Sequence, residues 1–372
     1  MRAIVLAGGE GTRLRPLTFV TPKPLLPVAN QAFLDRQLSW LAAHGVDEVG
    51  LALGYLPDAF VAHYPDGRFV APHGGEVRLR YAPEPTPRGT AGAVRFAADA
   101  LDVDERFVVC NGDVLTALDL RALVAFHDDR GAEATIHLTR VDDPSAFGVV
   151  PTFADGEVKA FVEKPPPGAA PTRWINAGTY VLEPSVLERI PPNLQVSIER
   201  ETFLRMLETR GRVYAMPSDD YWIDMGTAAQ YLQVHADLLA GCLGTGPVPG
   251  ARQVAPGVWA QGRPPDLTAL VAPALAGDGC DLAPAARVAG SVLGAGVRVG
   301  PGAAVIRSVV HDHAEIGADA RVVDSIVGAG AVVGPGATIG EQSIVGPAAT
   351  VEAGAVLVAG HLPSADAVSA PS

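Results

Sequence analysis

The chain has 372 residues, with 28 Lys and Arg against 41 Asp and Glu, and a net charge of −13. Its length suggests two domains and allows a sizeable core, while its acidity argues against a nucleic-acid groove, which needs a basic surface. No run of about 18 apolar residues is present to span a membrane, glycines and arginines interrupt the N-terminus where a signal peptide needs an apolar run, and Cys110, Cys242 and Cys280 are too scattered for a metal site, so reduced thiols in the cytoplasm are expected.

Residues 2–7 are nearly all apolar, as suits a strand buried on both faces. Gly8, Gly9 and Gly11 follow at once, then Arg13, Arg15 and Lys23. Glycines let the backbone turn sharply and bring several N–H groups to one ligand. With three cations beside them they suit a polyphosphate; the alternative is an ordinary strand-to-helix turn with solvated charges. GGEGTR lacks the Gly-Lys-Ser/Thr ending of a Walker A loop, and Leu14 replaces the third glycine of a dinucleotide fingerprint. Apolar residues at helical spacing predict a helix over 31–44, with Gly45 as its C-cap. Strands are predicted at 47–53, 77–82 and 106–110, and helices at 90–101 and from the cap Asp119 to Asp129. This alternation implies an α/β domain with a largely parallel sheet. Ligands bind at the carboxyl ends of such strands, where Gly8 and Asp113 both fall.

From 132 to 182 strands dominate, at 134–139, 148–152, 157–162 and 175–182, suggesting an insertion that closes one side of the site. A helix at 198–209 ends at Gly211; short strands follow at 212–216 and 221–223, then a last helix at 227–239. Residues 241–268, rich in Gly and Pro without a period, read as a linker. Beyond it apolar residues recur mostly every six positions, among them Leu282, Val288, Val299, Val305, Ile316, Val322, Val333 and Ile339. Ser291, Ser308, Ser325 and Ser343 each precede two aliphatic residues, at intervals of 17, 17 and 18. A six-residue period grouped in threes describes a triangular solenoid over 269–360, its glycines helping the chain round each corner. Residues 361–372 are expected to fray. His311 and His313 interrupt the period and read as a solvated loop rather than an acyl-transfer site.

Asp113 follows the strand at 106–110, and Asp224 sits in YWIDMGT. Magnesium carrying a nucleoside triphosphate takes one or two protein carboxylates, which such a pair supplies; either alone fits a cap or turn equally well. In FVEKP (161–165), Lys164 suits a phosphate as a compact charge and Glu163 suits sugar hydroxyls. The alternative is a surface ion pair at a hairpin end. INAG (175–178) adds the Asn176 amide and a close-approach glycine, Gly178, both useful beside a polyol.

LAGGEGTRLRPLT (6–18), the lysine of PKP (22–24) and FVEKP together resemble the sugar-1-phosphate nucleotidyltransferases, the NDP-sugar pyrophosphorylases. GTAG (89–92), FGVV (147–150), INAG, SIERE (197–201) and YWIDMG (221–226) bring the chain nearest to the mannose-1-phosphate guanylyltransferase branch. The resemblance implies a Rossmann-like, mostly parallel mixed sheet (the nucleotidyltransferase fold) over 1–240 and a C-terminal left-handed parallel β-helix. It implies nucleotidyl transfer from GTP to mannose 1-phosphate with Mg2+ as cofactor. Leu6, Ala7, Gly8, Gly9, Gly11 and Thr12 would line the nucleotide. Arg13 and Lys23 would hold its phosphates, and Glu84, Gly89 and Thr90 would lie near the base. Gly148, Glu163, Lys164, Asn176 and Gly178 would hold the sugar phosphate. Asp113 and Asp224 would bind the metal, and with Arg13 and Lys23 form the catalytic set. Arg88 stands where the family carries leucine, beside the expected base pocket. The same reaction with UTP, dTTP or CTP and glucose 1-phosphate or another sugar is therefore an alternative, as is a non-catalytic regulatory subunit that binds nucleotide sugar. A homo-oligomer assembled through the β-helix is expected, with no nucleic-acid or membrane partner.

Overall fold

A computed structural model describes residues 1–244 and 246–363. They form two compact units: Met1–Gly9 with Leu34–Trp222, and Glu10–Phe33 with the chain from Ile223 on. The N-terminal loop thus belongs with the C-terminal part of the chain, an association that no local sequence pattern signals.

The first unit is built on one mixed sheet. Its strands are β1 (Arg2–Leu6), β2 (Glu48–Leu53), β3 (Arg68–Val70), β4 (Glu76–Pro83), β5 (Phe107–Asn111), β6 (Ala134–Arg140), β7 (Gly148–Val149), β8 (Val162–Glu163), β9 (Trp174–Leu182) and β10 (Val213–Ser218). The order is β8-β7-β9-β5-β1-β2-β4-β3, with β6 beside β9 and β10 beside β6. β1 runs parallel to β2 and β5, placing Ile4 opposite Gly50 and Val109. Ala3, Ile4 and Val5 are fully buried, which accounts for the unbroken apolar run. Around the sheet lie α1 (Phe33–Ala43), α2 (Pro57–His63), α3 (Gly89–Ala100), α4 (Leu120–Arg130), α5 (Ser185–Glu188) and α6 (Phe203–Glu208). Asp119 caps α4, accepting from the Arg121 and Ala122 amides, and Gly131 ends it in the left-handed conformation. One core joins Ile4, Val94, Phe107, Tyr180 and Phe203.

Several elements differ from expectation. Residues 31–32 pair with Pro27–Val28 as a hairpin instead of starting α1, because Ala29 and Asn30 take positive φ and turn the chain back. The strands of 132–182 join the central sheet, with β9 antiparallel between β5 and β6. Within 157–162, only Val162 enters a ladder; Val158 makes an isolated bridge to Thr152. The helix at 198–209 opens as a π turn, Ile198–Thr202, before α6.

In the second unit α7 (Ala228–Leu239) starts at Thr227, whose side chain accepts from the Gln230 amide. The remainder is a parallel stack with three in-register ladders. Val288, Val305, Val322 and Ile339 align on one. Leu293, Val310, Val327 and Val345 align on the second. Leu282, Val299, Ile316, Val333 and Val351 align on the third. All of these are buried. The four serines are buried too, and each hydroxyl is satisfied: Ser308 N donates to Ser291 Oγ at 3.1 Å, and Ser325 N to Ser308 Oγ at 3.1 Å. Contact between coils also calls for glycine after most of the apolar positions. A Cβ on Gly317 would fall 2.6 Å from Pro335 N of the next coil.

The segment expected to be a linker carries strands Arg252–Ala255 and Val258–Ala260, and the second continues the stack onto Leu270–Ala276. The expected tail begins instead with a strand, His361–Leu362, on Ile344–Val345; its residues 364–372 lie outside the described residues. His311 is buried, correcting the solvated-loop reading, because it packs against Tyr231 of α7; His313 is exposed.

Candidate functional site

At the carboxyl end of β1 the chain is gripped by its neighbours. Ala7 N donates to Ala52 O and Gly112 N to Leu6 O, each at 2.9 Å. A Cβ on Gly54 would fall 2.7 Å from Gly8 O, and one on Gly112 2.6 Å from Leu6 O. The path of Leu6, Ala7 and Gly8 therefore depends on glycines that follow β2 and β5, and Gly54 drew no notice in the sequence. Space around Gly9 is open. Glu84 Oε1 lies 3.4 Å from where a Gly8 Cβ would stand, and Oε2 accepts from Arg88 N at 3.0 Å. Burial raises the Glu84 carboxyl above its ordinary range, against the opposing pull of Arg88.

The glycines of GTAG press against a neighbouring segment. Gly89 has φ +67°, and a Cβ there would meet Val196 O at 2.6 Å; one on Gly92 would meet Leu194 O at 2.6 Å. Thr90 Oγ1 accepts from Ile198 N at 2.7 Å and donates to Glu199 Oε2 at 3.1 Å. The Arg88 guanidinium lies 4.5 Å over the Phe96 ring and donates to Asn193 Oδ1 at 3.0 Å. Its backbone contacts Glu84 while its side chain is held by α3 and Asn193.

Gly148, Glu163, Lys164 and Asn176 line one pocket of about 380 Å³. Its walls also carry Asn111, Ser197, Glu199 and Arg200, to which the sequence assigned no role. Asn176 stands where the pairing of β9 with β6 shifts register, so the bulge re-aims its side chain. Its Oδ1 accepts from Gly178 N at 3.0 Å, and its Nδ2 donates to Tyr180 Oη at 2.8 Å. Tyr180 donates onward to Glu199 Oε1 at 3.2 Å. Complete burial pushes this phenol well above its ordinary pKa, so it remains a donor. Gly178 does not line the pocket but supports it from behind, against Asn111. Arg200 Nη2 donates to Glu163 Oε1 at 2.8 Å, and Lys164, at φ 45°, donates its amide to Phe147 O at 3.0 Å.

The remaining candidates belong to the second unit. Gly11 is left-handed, and a Cβ there would meet Thr18 Cγ2 at 2.9 Å and Lys23 Cβ at 3.1 Å. Thr12 and Arg13 lie on the one-turn helix Thr12–Leu14; Lys23, largely buried, opens another at Lys23–Leu25 between two prolines. Gln230 Nε2 donates to Asp224 Oδ1. A Cβ on Gly226 would stand 3.0 Å from Asp224 Oδ2 and 3.2 Å from Arg13 Nη2. Gly226, the last residue of YWIDMG, thus allows Arg13 and Asp224 to share one place; Gln230 lies outside the motifs. Asp113 sits in the turn between β5 and Val114–Thr116, in the first unit. Among the described residues no three His, Cys, Asp or Glu side chains group for a metal. Two carboxylates match the oxygen chemistry of a magnesium ion that keeps water and phosphate in its shell. No helix among the described residues is long and apolar enough to cross a membrane.

A family model described as nucleotidyl transferase matches residues 2–241, and one described as GMPPB C-terminal domain matches residues 270–366. A mannose-1-phosphate guanylyltransferase of Mycobacterium tuberculosis is 43% identical over 240 residues, covering 64% of this chain and 65% of its own length. For mannose-1-phosphate guanylyltransferase 1 of Arabidopsis thaliana the identity is 40% and the match covers 63% of that protein, so the chain spans somewhat less than two thirds of either relative. A probable mannose-1-phosphate guanylyltransferase 1 of Oryza sativa is 37% identical over 76% of this chain and 75% of its own. Among solved structures, HddC from Yersinia pseudotuberculosis complexed with GMP-PN is similar with TM-score 0.53 and 29% identity, covering 63% of this chain and 97% of that one. With one family model matching residues 2–241 of 372, the chain belongs to the nucleotidyl transferase family.

Proposed function

We propose that the protein transfers a guanylyl group from GTP to mannose 1-phosphate, giving GDP-mannose and pyrophosphate. The observation that carries this reading is the single pocket holding Gly148, Glu163, Lys164 and Asn176 together. The choice of GTP and mannose rests on the names of the relatives. An oxygen of the sugar phosphate attacks the α-phosphorus in line; the bond from that phosphorus to the bridging oxygen breaks, and pyrophosphate leaves. The attacking oxygen is already ionised at neutral pH, so alignment and placed charge supply the catalysis. Lys164 holds the sugar phosphate, while Glu163 and Asn176 meet sugar hydroxyls. Arg13 stabilises the five-coordinate phosphorus, and Lys23 offsets charge on the departing pyrophosphate. The backbone from Leu6 to Thr12 lines the nucleotide, with Glu84, Gly89 and Thr90 toward the base. Asp113 and Asp224 would hold Mg2+, whose contribution is to neutralise phosphate charge.

The test is pyrophosphate release with magnesium, GTP and mannose 1-phosphate, beside a panel of UTP, dTTP and CTP with glucose 1-phosphate. Fast release only with another pair would move the reading to that substrate. Nucleotide-sugar binding without release from any pair would overturn it in favour of a regulatory subunit.

The parallel stack is proposed to be a left-handed β-helix through which the protein self-associates, and the cytoplasm is the proposed compartment, where Cys110, Cys242 and Cys280 stay free thiols. A monomer by light scattering across the micromolar range would rule out the self-association.

A further inference from the structure

The loop that carries Arg13 and Lys23 is fastened along one edge of the parallel stack. That edge is defined by a ladder of equivalent residues. Gln261 N donates to Ala276 O, Gly277 N to Leu293 O, Gly294 N to Val310 O, His311 N to Val327 O, Gly328 N to Val345 O and Gly346 N to Leu362 O. Glycine fills this position in four of the six coils; His311 breaks the pattern. The loop touches this edge at several levels. Asn30, at the tip of the Pro27–Val28 and Gln31–Ala32 hairpin, donates through Nδ2 to Gln261 Oε1 at 3.0 Å and to Leu293 O at 2.8 Å. Tyr231 of α7 donates to Pro27 O and meets His311 Nε2 at 2.9 Å. The hydroxyl has one proton, which goes to Pro27, so His311 is the donor in the second contact. Its imidazole is neutral with the proton on Nε2, and burial, pushing its pKa down to about 4, keeps it so. Further along, Pro16 Cγ lies 2.8 Å from where a Gly346 Cβ would stand.

Each cation lies a few residues from one of these attachments. Leu26 N donates to Lys23 O at 3.1 Å and Phe33 N to Leu26 O at 3.0 Å, so the hairpin is continuous with the turn at Lys23. Arg13 is followed three residues later by Pro16.

We infer that the stack is a rack for the phosphate loop, and that Asn30, Tyr231 and His311 are positioning residues that act through the Glu10–Phe33 backbone on Arg13 and Lys23. The inference rests on the proposed function only for what the loop binds. It is tested by amide hydrogen exchange across residues 10–33 of the full chain, in wild type, Asn30→Ala, His311→Leu and His311→Gln. The expected result is exchange at least tenfold faster in Asn30→Ala and His311→Leu, with His311→Gln, which keeps an N–H donor, close to wild type. KM for the triphosphate should rise severalfold while KM for the sugar 1-phosphate stays put. Unchanged exchange in folded variants overturns the rack; should His311→Leu fail to fold, Asn30→Ala decides alone. Faster exchange in a protein whose wild type turns over no triphosphate would leave the rack standing and remove the proposed reaction instead.

Discussion

Gly178 lies so close to Asn111 that a Cβ on it would fall 2.5 Å from the Asn111 amide nitrogen. The glycine sits at φ +73° in the bulge that presents Asn176, and Asn111 is part of the pocket wall. Backbone strain and collision act together in Gly178→Ala. We expect a loss of about 2 kcal/mol in urea unfolding and a raised KM for sugar 1-phosphate. Wild-type stability in this variant would mean the bulge is not held as described.

Gly226→Ala places a methyl between the Arg13 guanidinium and the Asp224 carboxylate. The two groups stand 3.2 Å and 3.0 Å from that methyl, so each must shift by a few tenths of an ångström. If these two serve the reaction, kcat falls on the order of a hundredfold, as when one transition-state donor is removed, with unfolding little changed. Steady-state pyrophosphate release measures it, and an unimpaired kcat would take Arg13 and Asp224 out of the chemistry.

Tyr180→Phe removes the hydroxyl shared by Asn176 and Glu199 without changing the ring that packs on Phe203. Two polar partners are left short of a bond, at a cost of about 2 kcal/mol. The sugar-phosphate KM should rise roughly tenfold, the equivalent of 1.4 kcal/mol, and the triphosphate KM should not move. Equal rises in both would assign the tyrosine a purely structural part.

Acid should weaken the fold before the carboxylates titrate. Burial pushes His137 and His311 down to about 4, while an unfolded histidine titrates near 6.5. Between these values the unfolded chain binds the extra proton. Stability is therefore whole above about pH 6.5 and drains as pH falls toward 4, at a limiting slope of about 1.4 kcal/mol per unit for each ring. Neither ring nitrogen of His137 has a hydrogen-bond partner among the described residues. His137→Leu should gain on wild type at pH 5 and differ little at pH 8, as read by urea titration. Parallel losses in both proteins would place the acid sensitivity elsewhere.

Much of the architecture was legible because it follows local periodicity. The nearly all-apolar run of β1, the Asp119 cap and the serine register each report one physical requirement directly: two buried faces, a satisfied helix end, a bonded hydroxyl in four successive coils. The pocket residues Glu163, Lys164 and Asn176 were legible through motifs. Gly54 and Gln230 were not, and Gly226 showed only as the end of YWIDMG, since their importance lies in what stands opposite them in space. Residues 31–32 looked like the start of a helix because the residues after them have helical spacing; the positive φ of Ala29 and Asn30 reverses the chain and pairs them in a hairpin. His311 looked solvated because a histidine in a Gly-rich repeat gives no hint of the tyrosine 80 residues away that covers it. The broken repeat position was the available signal.

The anchoring of one loop at several levels of the stack turns the repeats into a gauge. Repeat arrays ordinarily gain or lose whole units with little harm, because each unit touches only its neighbours. Here a spare coil inserted between Leu293 and Gly346 would carry everything beyond it away by one strand spacing, about 4.8 Å. Asn30 could still reach Leu293 and Pro27 could still reach Tyr231, but Pro16 would lose Gly346, and a coil inserted before His311 would also part that ring from Tyr231. The count of coils in that interval is thus tied to the length of chain between Pro16 and Asn30, whereas a coil added beyond Gly346 would leave these attachments in place.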